Sequence, residues 1–311
     1  MIINGNYPAM ITNYLPDGSI DYNSVEELTE WYWKKGCAGV FATCQSSEIF
    51  YLSLKERITL AEKVVNKVKE LNAREVRGYF SVVASAHVSD GFEAQVEELT
   101  AISELKPDAV VFITNRLDIS KRGEDYWCKD LDRLIAALPK EIPLGLYEAP
   151  VPYKRLLTDK MLRHCVGTGR FEFVKDTCCD AAVIKRRLGI IKGSKVKLFN
   201  ANAQTLLTSM KDGAHGYCGI MSNFHPEIIN YICEHPLDPK ADEVEDFFCL
   251  AAFTEALHYP VIAKYNLIKY NNIGKSLYSR SCRINELPDY DKDVIDRMAA
   301  FAKRLCVQYG I

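Results

Sequence analysis

The chain has 311 residues, 26% of them charged, and 39 Lys and Arg against 41 Asp and Glu leave a formal net charge of -2. So small a net charge gives no field to hold nucleic acid or an anionic membrane surface, and a small neutral or anionic metabolite becomes the natural partner. The opening Met1-Ile2-Ile3-Asn4-Gly5-Asn6-Tyr7-Pro8 lacks a basic region ahead of an apolar core, and no later run is apolar and long enough for a membrane span, so a cytoplasmic protein is expected.

In chain order, short apolar runs alternate with longer amphipathic ones up to about residue 235. Pro8-Ala9-Met10-Ile11-Thr12 reads as the first strand. Val40-Phe41-Ala42-Thr43 comes next, before a helix opened by Ser53-Leu54-Lys55-Glu56, a Ser-x-x-Glu capping box. Gly78 to Val83 precedes a helix from Phe92 to Leu105, Ala109 to Ile113 precedes Glu124 to Leu138, and Pro143 to Tyr147 precedes Leu156 to Cys165. A strand ending at Lys175 leads to a helix at Ala181 to Leu188, and Val196 to Phe199 leads to Ala203 to Met210. Gly216 to Met221 is the last strand, with a helix after Pro226. About eight strand-helix units in a chain of this length point to an α/β fold, a closed (β/α)8 TIM barrel with parallel strands, over residues 1–235. Residues 236–311 read as a purely helical C-terminal extension, with helices at Ala241 to Leu257, Val261 to Tyr270 and Lys292 to Gln308. No Gly-x-Gly-x-x-Gly fingerprint or P-loop is present, which argues against nucleotide binding.

Eleven cysteines are scattered along the chain, with Cys178-Cys179 the only close pair and no Cys-x-x-Cys or zinc-ligand spacing. Most are expected to be buried small apolar residues in a reducing compartment, and neither metal nor cofactor is expected.

Chemistry in a barrel of this kind gathers where the strands end, so the residues that close each apolar run are the candidates. Arg170-Phe171-Glu172-Phe173-Val174-Lys175 is a strand pattern that stops at a lysine, followed by Asp176-Thr177. An ammonium held there loses solvation, which favours the neutral amine that attacks carbonyls and forms Schiff bases; the bland alternative is a lysine that snorkels to water. Tyr147 ends the preceding strand at the same level, where a phenol can shuttle protons during imine formation. Gln45, Ser46 and Ser47 offer hydroxyl and backbone N–H groups to a carboxylate, so the set suits a 2-oxo acid.

These segments together resemble the dihydrodipicolinate synthase and N-acetylneuraminate lyase family of class I pyruvate-dependent aldolases. Tyr147-Glu148-Ala149-Pro150 is similar to its Tyr-Asn-x-Pro strand, and Phe173-Val174-Lys175-Asp176-Thr177 to its Schiff-base strand. Cys44-Gln45-Ser46-Ser47-Glu48 resembles its carboxylate loop, followed by the Leu-Ser-x-x-Glu-Arg helix start at Leu52 to Arg57. Gly213-Ala214-His215-Gly216 with Asn223 is similar to its last barrel strand, and Pro260-Val261-Ile262-Ala263-Lys264 to its C-terminal helical region. The resemblance runs through nearly the whole chain. It implies a TIM barrel with a helical tail, a homo-oligomer (tetramer or dimer), and cleavage or formation of a C–C bond in pyruvate or a related 2-oxo acid through a lysine imine, without metal.

The chain departs from that family at the second-substrate end. Pro152 stands where synthases carry the arginine that grips the second carboxylate, and Arg155 lies out of register. Gln45 stands where the relay hydroxyl is expected, and Thr114-Asn115-Arg116 replaces the partner tyrosine. Ala203-Gln204 stands at the lyases' Asp-Glu pair and Ile220 at their serine, whereas Lys175-x-Thr177 keeps the lyase pattern. The resemblance therefore implies Lys175 and Tyr147 as catalytic residues and Ser46, Gln45, Ser47, Thr177 and Ile220 as substrate-binding ones, with Thr177 open between substrate contact and an N-cap. Glu148 is open between a salt-bridged structural role and contact with a substrate amine; Glu48 reads as a structural partner of backbone N–H groups, and Arg116 and Arg155 as solvated loop cations. Cys44 reads as packing, and Cys178-Cys179 as facing the helix layer. The leading expectation is aldol cleavage of a hydroxylated 2-oxo acid; a 4-hydroxy-tetrahydrodipicolinate synthase with an unusual site and a noncatalytic 2-oxo acid sensor or scaffold are the alternatives.

Overall fold

The structure, a computed structural model, describes residues 1–311. Eight short strands are laid down in turn: β1 Gly5–Asn6, β2 Gly39–Phe41, β3 Ser81–Ala84, β4 Ala109–Ile113, β5 Leu144–Tyr147, β6 Phe171–Asp176, β7 Lys197–Asn200 and β8 Gly216–Tyr217. The intervening helices are α1 Tyr22–Lys34, α2 Leu54–Ala73, α3 Phe92–Glu104, α4 Glu124–Ala137, α5 Asp159–Gly167, α6 Ala181–Ile191 and α7 Leu206–Lys211, with α8 Pro226–Glu234 after the last strand. All ladders are parallel, in the order β1-β8-β7-β6-β5-β4-β3-β2. The two ends of that sheet meet through single hydrogen bonds, Ala38 N to Asn6 O (3.0 Å), Phe41 N to Pro8 O (3.0 Å) and Met10 N to Phe41 O (3.2 Å). The sheet thus becomes a TIM barrel. Beyond α8 the chain is helical, α9 Ala241–Ala251, a 3-10 turn Ala252–Ala256, α10 Val261–Asn271 and α11 Asp289–Tyr309. No helix is long and apolar enough to cross a membrane.

Three elements differ from the sequence reading. The first strand is Gly5–Asn6 rather than Pro8 to Thr12: Pro8 has no N–H to give a ladder, and beyond it only Ala9 bridges to Phe41. The last strand stops at Tyr217, because Ile220–Asn223 coils into a 3-10 turn behind Gly219, where a Cβ would lie 2.3 Å from Tyr217 Oη. Helix α1 was not anticipated, although its signals are present: Asp21 accepts from Ser24 N at 3.2 Å as N-cap, and Val25, Leu28, Thr29 and Tyr32 form a buried face at helical spacing.

The packing has two layers. Between strands and helices lies a continuous apolar shell, and inside the barrel a separate core contains Tyr7, Phe41, Phe173, Phe199 and Tyr147. Tyr7 meets Phe199 edge-on at 4.6 Å and Phe199 stacks on Phe173 at 4.8 Å, so aromatic rings fill the barrel below the level of Tyr147. Between the strands and α3, His87 is held as the neutral ring, its Nδ1 accepting from Ile113 N at 2.9 Å and its Nε2 2.8 Å from Gln95 Oε1. Burial pushes it down to about 4.

Barrel closure leaves no room at Gly216, whose φ is +152° and where a Cβ would stand 1.8 Å from Gly5 O. Gly216→Ala is expected to lose about 3 kcal/mol or more of stability in urea unfolding, whereas Gly78→Ala, with nothing within 4 Å of its Cβ, should change it little.

Candidate active site

Side chains alternate along a strand, so of two neighbouring residues one enters the barrel and the other faces the helices. Tyr147 and Lys175 are direct partners in the β5–β6 register. Lys175 Nζ lies 4.4 Å from the centre of the Tyr147 ring and 5.5 Å from that of Phe41. Both residues are nearly buried, and both line one cavity of about 420 Å3 at the C-terminal ends of the strands. Burial holds the Tyr147 phenol well above its ordinary value, and no hydrogen bond relieves it.

Their neighbours Glu148 and Asp176 point the other way, toward α6. Arg187 binds both: its Nη2 lies 2.7 Å from Glu148 Oε1 and its Nη1 pairs with Asp176 Oδ2. Glu148 also accepts from Leu157 N at 2.6 Å and from Thr177 N at 2.8 Å. Burial and the nearby Asp176 carboxylate push Glu148 up against the pull of Arg187, while the two carboxylates outweigh burial at Arg187 and hold the guanidinium above its usual value. Of the two roles left open for Glu148, the ion-paired structural one matches this geometry.

The remaining sequence candidates fall into two groups. Gln45, Ser46, Thr177 and Ile220 line the cavity with Lys175 and Tyr147. Gln45 Oε1 accepts from Val151 N at 3.1 Å, which fixes the amide against the facing loop. The Thr177 hydroxyl donates to Glu148 O at 2.8 Å, leaving its lone pairs free to accept, and the N-cap of α6 is Asp180 instead. Ser47 corrects the sequence reading. It is fully buried, and its hydroxyl is taken up by Met10 O (2.6 Å), Ala42 O (3.0 Å) and Cys44 N (3.1 Å), because the 3-10 turn Gln45–Ser47 rotates it away from the cavity.

Several other expectations shift. Arg116 and Arg155 are not solvated: Arg116 pairs with Asp90 at 2.7 Å and Arg155 with Asp118 at 2.9 Å. Asn115 Nδ2 donates to Ala149 O (2.9 Å), Val151 O (3.0 Å) and Tyr153 O (2.6 Å), clamping the loop after β5. Glu48 is a structural partner, as read: it is buried, accepts from Ser279 Oγ (2.9 Å), Arg280 N (2.6 Å) and Ser281 N (2.6 Å), and lies 3.3 Å from Lys264 Nζ. All eleven cysteines are free, but only Cys37, Cys44, Cys128, Cys165 and Cys218 are buried, and Cys179 is exposed at the cavity rather than turned to the helix layer. No group of three or more His, Cys, Asp or Glu residues is arranged to hold a metal ion.

Sequence reasoning missed the residues that reach the cavity from outside the strand ends. Lys154 comes from the loop after β5, while Glu255 and Tyr259 come from the helical extension. Tyr259 lies beside Ser46, and its phenol is held well above the ordinary value by burial. A charged Glu four residues before a Tyr-Pro pair is the only local signal for them, and nothing in the strand pattern leads there.

Comparisons with known proteins agree with this architecture. The family model described as "Dihydrodipicolinate synthetase family" matches residues 3–72. The 4-hydroxy-tetrahydrodipicolinate synthase of Shewanella sp. (strain W3-18-1) is 26% identical over 247 residues, 78% of this chain and 77% of the relative. That of Teredinibacter turnerae is 23% identical over 279 residues, 88% and 90%. Among solved structures, dihydrodipicolinate synthase from Acinetobacter baumannii complexed with pyruvate superposes with a TM-score of 0.82 at 17% identity, covering 97% of this chain and 99% of that one. The wild-type sialic acid aldolase of Ruminococcus gnavus gives 0.82 at 19% identity, covering 98% of both. The structural likenesses show a shared fold.

Removing one partner of a buried charge cluster leaves charge uncompensated. Arg187→Met is expected to cost about 3–5 kcal/mol in urea unfolding at neutral pH, with less loss for the variant that also carries Glu148→Gln.

Proposed function

We propose that the chain is a divergent member of the dihydrodipicolinate synthase and N-acetylneuraminate lyase family and, within it, a Schiff-base lyase, a class I aldolase acting on pyruvate or a hydroxylated 2-oxo acid. The observation that carries the reading is the pairing of Lys175 with Tyr147 on adjacent strands inside one cavity that also holds Ser46. Lys175 Nζ attacks the C2 carbonyl, and the carbinolamine loses water to give a protonated imine. Tyr147, a phenol at rest, gives its proton to the oxygen that leaves as water. The 1-carboxylate is held by the Ser46 hydroxyl and by the first N–H groups of the 3-10 turn Gln45–Ser47, which the turn itself cannot satisfy. In the cleavage direction the Tyr147 phenolate takes the C4 hydroxyl proton, the C4 oxygen becomes a carbonyl, the C3–C4 electron pair becomes the C2–C3 double bond, and the C=N pair moves onto nitrogen.

Thr177 supports a hydroxylated substrate. Its proton is committed to Glu148 O, so toward the cavity it is an acceptor for a substrate hydroxyl. Assembly as a homo-oligomer and a cytoplasmic location belong to the same proposal; the exposed Leu250, Phe253 and Val307 on the C-terminal helices supply apolar surface for a second copy.

A second reading, 4-hydroxy-tetrahydrodipicolinate synthase, is favoured by the names of the curated relatives. It requires the purified protein to condense pyruvate with aspartate semialdehyde, and absence of that reaction removes it.

Borohydride reduction in the presence of pyruvate, followed by intact mass and peptide mapping, should place one reduced adduct on Lys175. Lys175→Ala should carry none; an unmodified wild type, or an adduct that survives in Lys175→Ala, ends the Schiff-base reading.

A further inference from the structure

One carboxyl in the cavity has no partner in the chain. Glu255 sits on the 3-10 turn Ala252–Ala256, where the C-terminal helices bring it over the barrel mouth to line the same cavity as Lys175 and Tyr147. No hydrogen bond or ion pair engages its oxygens; Lys175 is the one charge that acts on it. The other carboxylate of the cavity, Glu48, is consumed by Lys264 and by Ser279, Arg280 and Ser281.

Imine chemistry on a 2-oxo acid needs a base for carbon. Once the iminium forms, the C3 proton must leave to give the enamine, or return to it after the aldehyde has gone. The other titratable groups that face Glu255 are unsuited to this. Tyr259 four residues on, Tyr217 from β8 and Tyr147 from β5 are phenols that burial holds well above their ordinary value, and the Cys179 thiol is likewise raised by burial. Lys154 at the rim is an exposed amine, and Lys175 is itself the imine. Burial, opposed by Lys175, pushes Glu255 up to about 7, where one group can both take and return a proton near neutral pH.

We propose that Glu255 is the base that removes the C3 proton from the Lys175 iminium of pyruvate, and the acid that returns it to the enamine. The step rests on the Schiff-base reading above and balances within the site. The C3–H bond breaks, its electron pair forms the C2–C3 double bond, the C=N pair moves onto nitrogen, and the proton resides on a Glu255 oxygen. In aldol cleavage the Glu255 carboxyl, protonated from solvent, delivers a proton to C3 of the enamine before the imine is hydrolysed.

The test needs only pyruvate, because enamine formation exchanges its methyl hydrogens with solvent. The full-length protein is incubated with pyruvate in D2O, methyl deuteration is followed by NMR, and borohydride trapping is run in parallel. The wild type should trap and exchange, with an exchange rate that rises with pH through about 7 as the carboxylate form appears. Glu255→Gln should trap pyruvate within about two-fold of the wild type, exchange about 100-fold more slowly and lose that rise, while Glu255→Asp should recover part of the rate. The inference is overturned if Glu255→Gln exchanges within about three-fold of the wild type, if it no longer traps pyruvate, or if the wild type traps without exchanging. A wild type that traps nothing overturns the Schiff-base reading itself, and this inference with it.

Discussion

The cavity depends on a cation that never enters it. Arg187 reaches from α6 to Glu148 and Asp176, the residues that directly follow Tyr147 and Lys175 on β5 and β6. Because alternate residues face opposite sides of a strand, fixing the outward pair from behind fixes the inward pair in front. Glu148 then extends the restraint by accepting from Leu157 N and Thr177 N, so the loops leaving both strands are tied to the same point. A buried cluster of one guanidinium and two carboxylates is a poor source of net stability, since desolvation offsets most of the attraction. What it supplies here is position: in the proposed reaction Lys175 as imine-forming amine and Tyr147 as proton donor are useful only when held within a fraction of an ångström of the reacting carbon.

A second tie brings the helical extension to the barrel. Glu48 closes the 3-10 turn Gln45–Ser47 with φ +62°, and its buried carboxylate gathers Lys264 from α10 together with Ser279, Arg280 and Ser281 from the segment before α11. Burial, opposed by Glu48, holds Lys264 down to about 8. The turn Gln45–Ser47 and the helical extension that carries Glu255 and Tyr259 are therefore one connected structure, and the mouth of the cavity is built from both ends of the chain.

How much of this was legible followed the range of the signals involved. The capping box at Ser53 and Glu56 is realised by reciprocal bonds of 2.8 and 3.2 Å, and Ala109–Ile113 is the strand that its β-branched run announced, because both signals are complete within a few residues. Lys175 and Tyr147 were visible for the same reason, as each ends an apolar run. Ser46 and Ser47 could not be separated, since which hydroxyl faces the cavity depends on the rotation of a three-residue turn. Arg116 and Arg155 looked solvated because their partners, Asp90 and Asp118, come from other loops. Glu255 was missed because only the docking of the extension over the barrel brings it to Lys175.

Those engaged arginines also bear on what the far half of the cavity accepts. Pro152 brings no cation, and Arg116 and Arg155 are engaged by Asp90, Asp118 and backbone carbonyls and do not line the cavity, which leaves the exposed Lys154 as the one basic group at the rim apart from Lys175. A single flexible amine in water binds a carboxylate weakly, without the fixed two-point geometry of a guanidinium. Among the polar groups of the cavity, the Thr177 hydroxyl and the Glu255 carboxylate accept hydrogen bonds. A chain with hydroxyl groups beyond C3 can donate to both, whereas a second carboxylate would face Glu255 with no paired cation. The same residues that depart from the synthase pattern thus favour a hydroxylated, uncharged second half for the substrate.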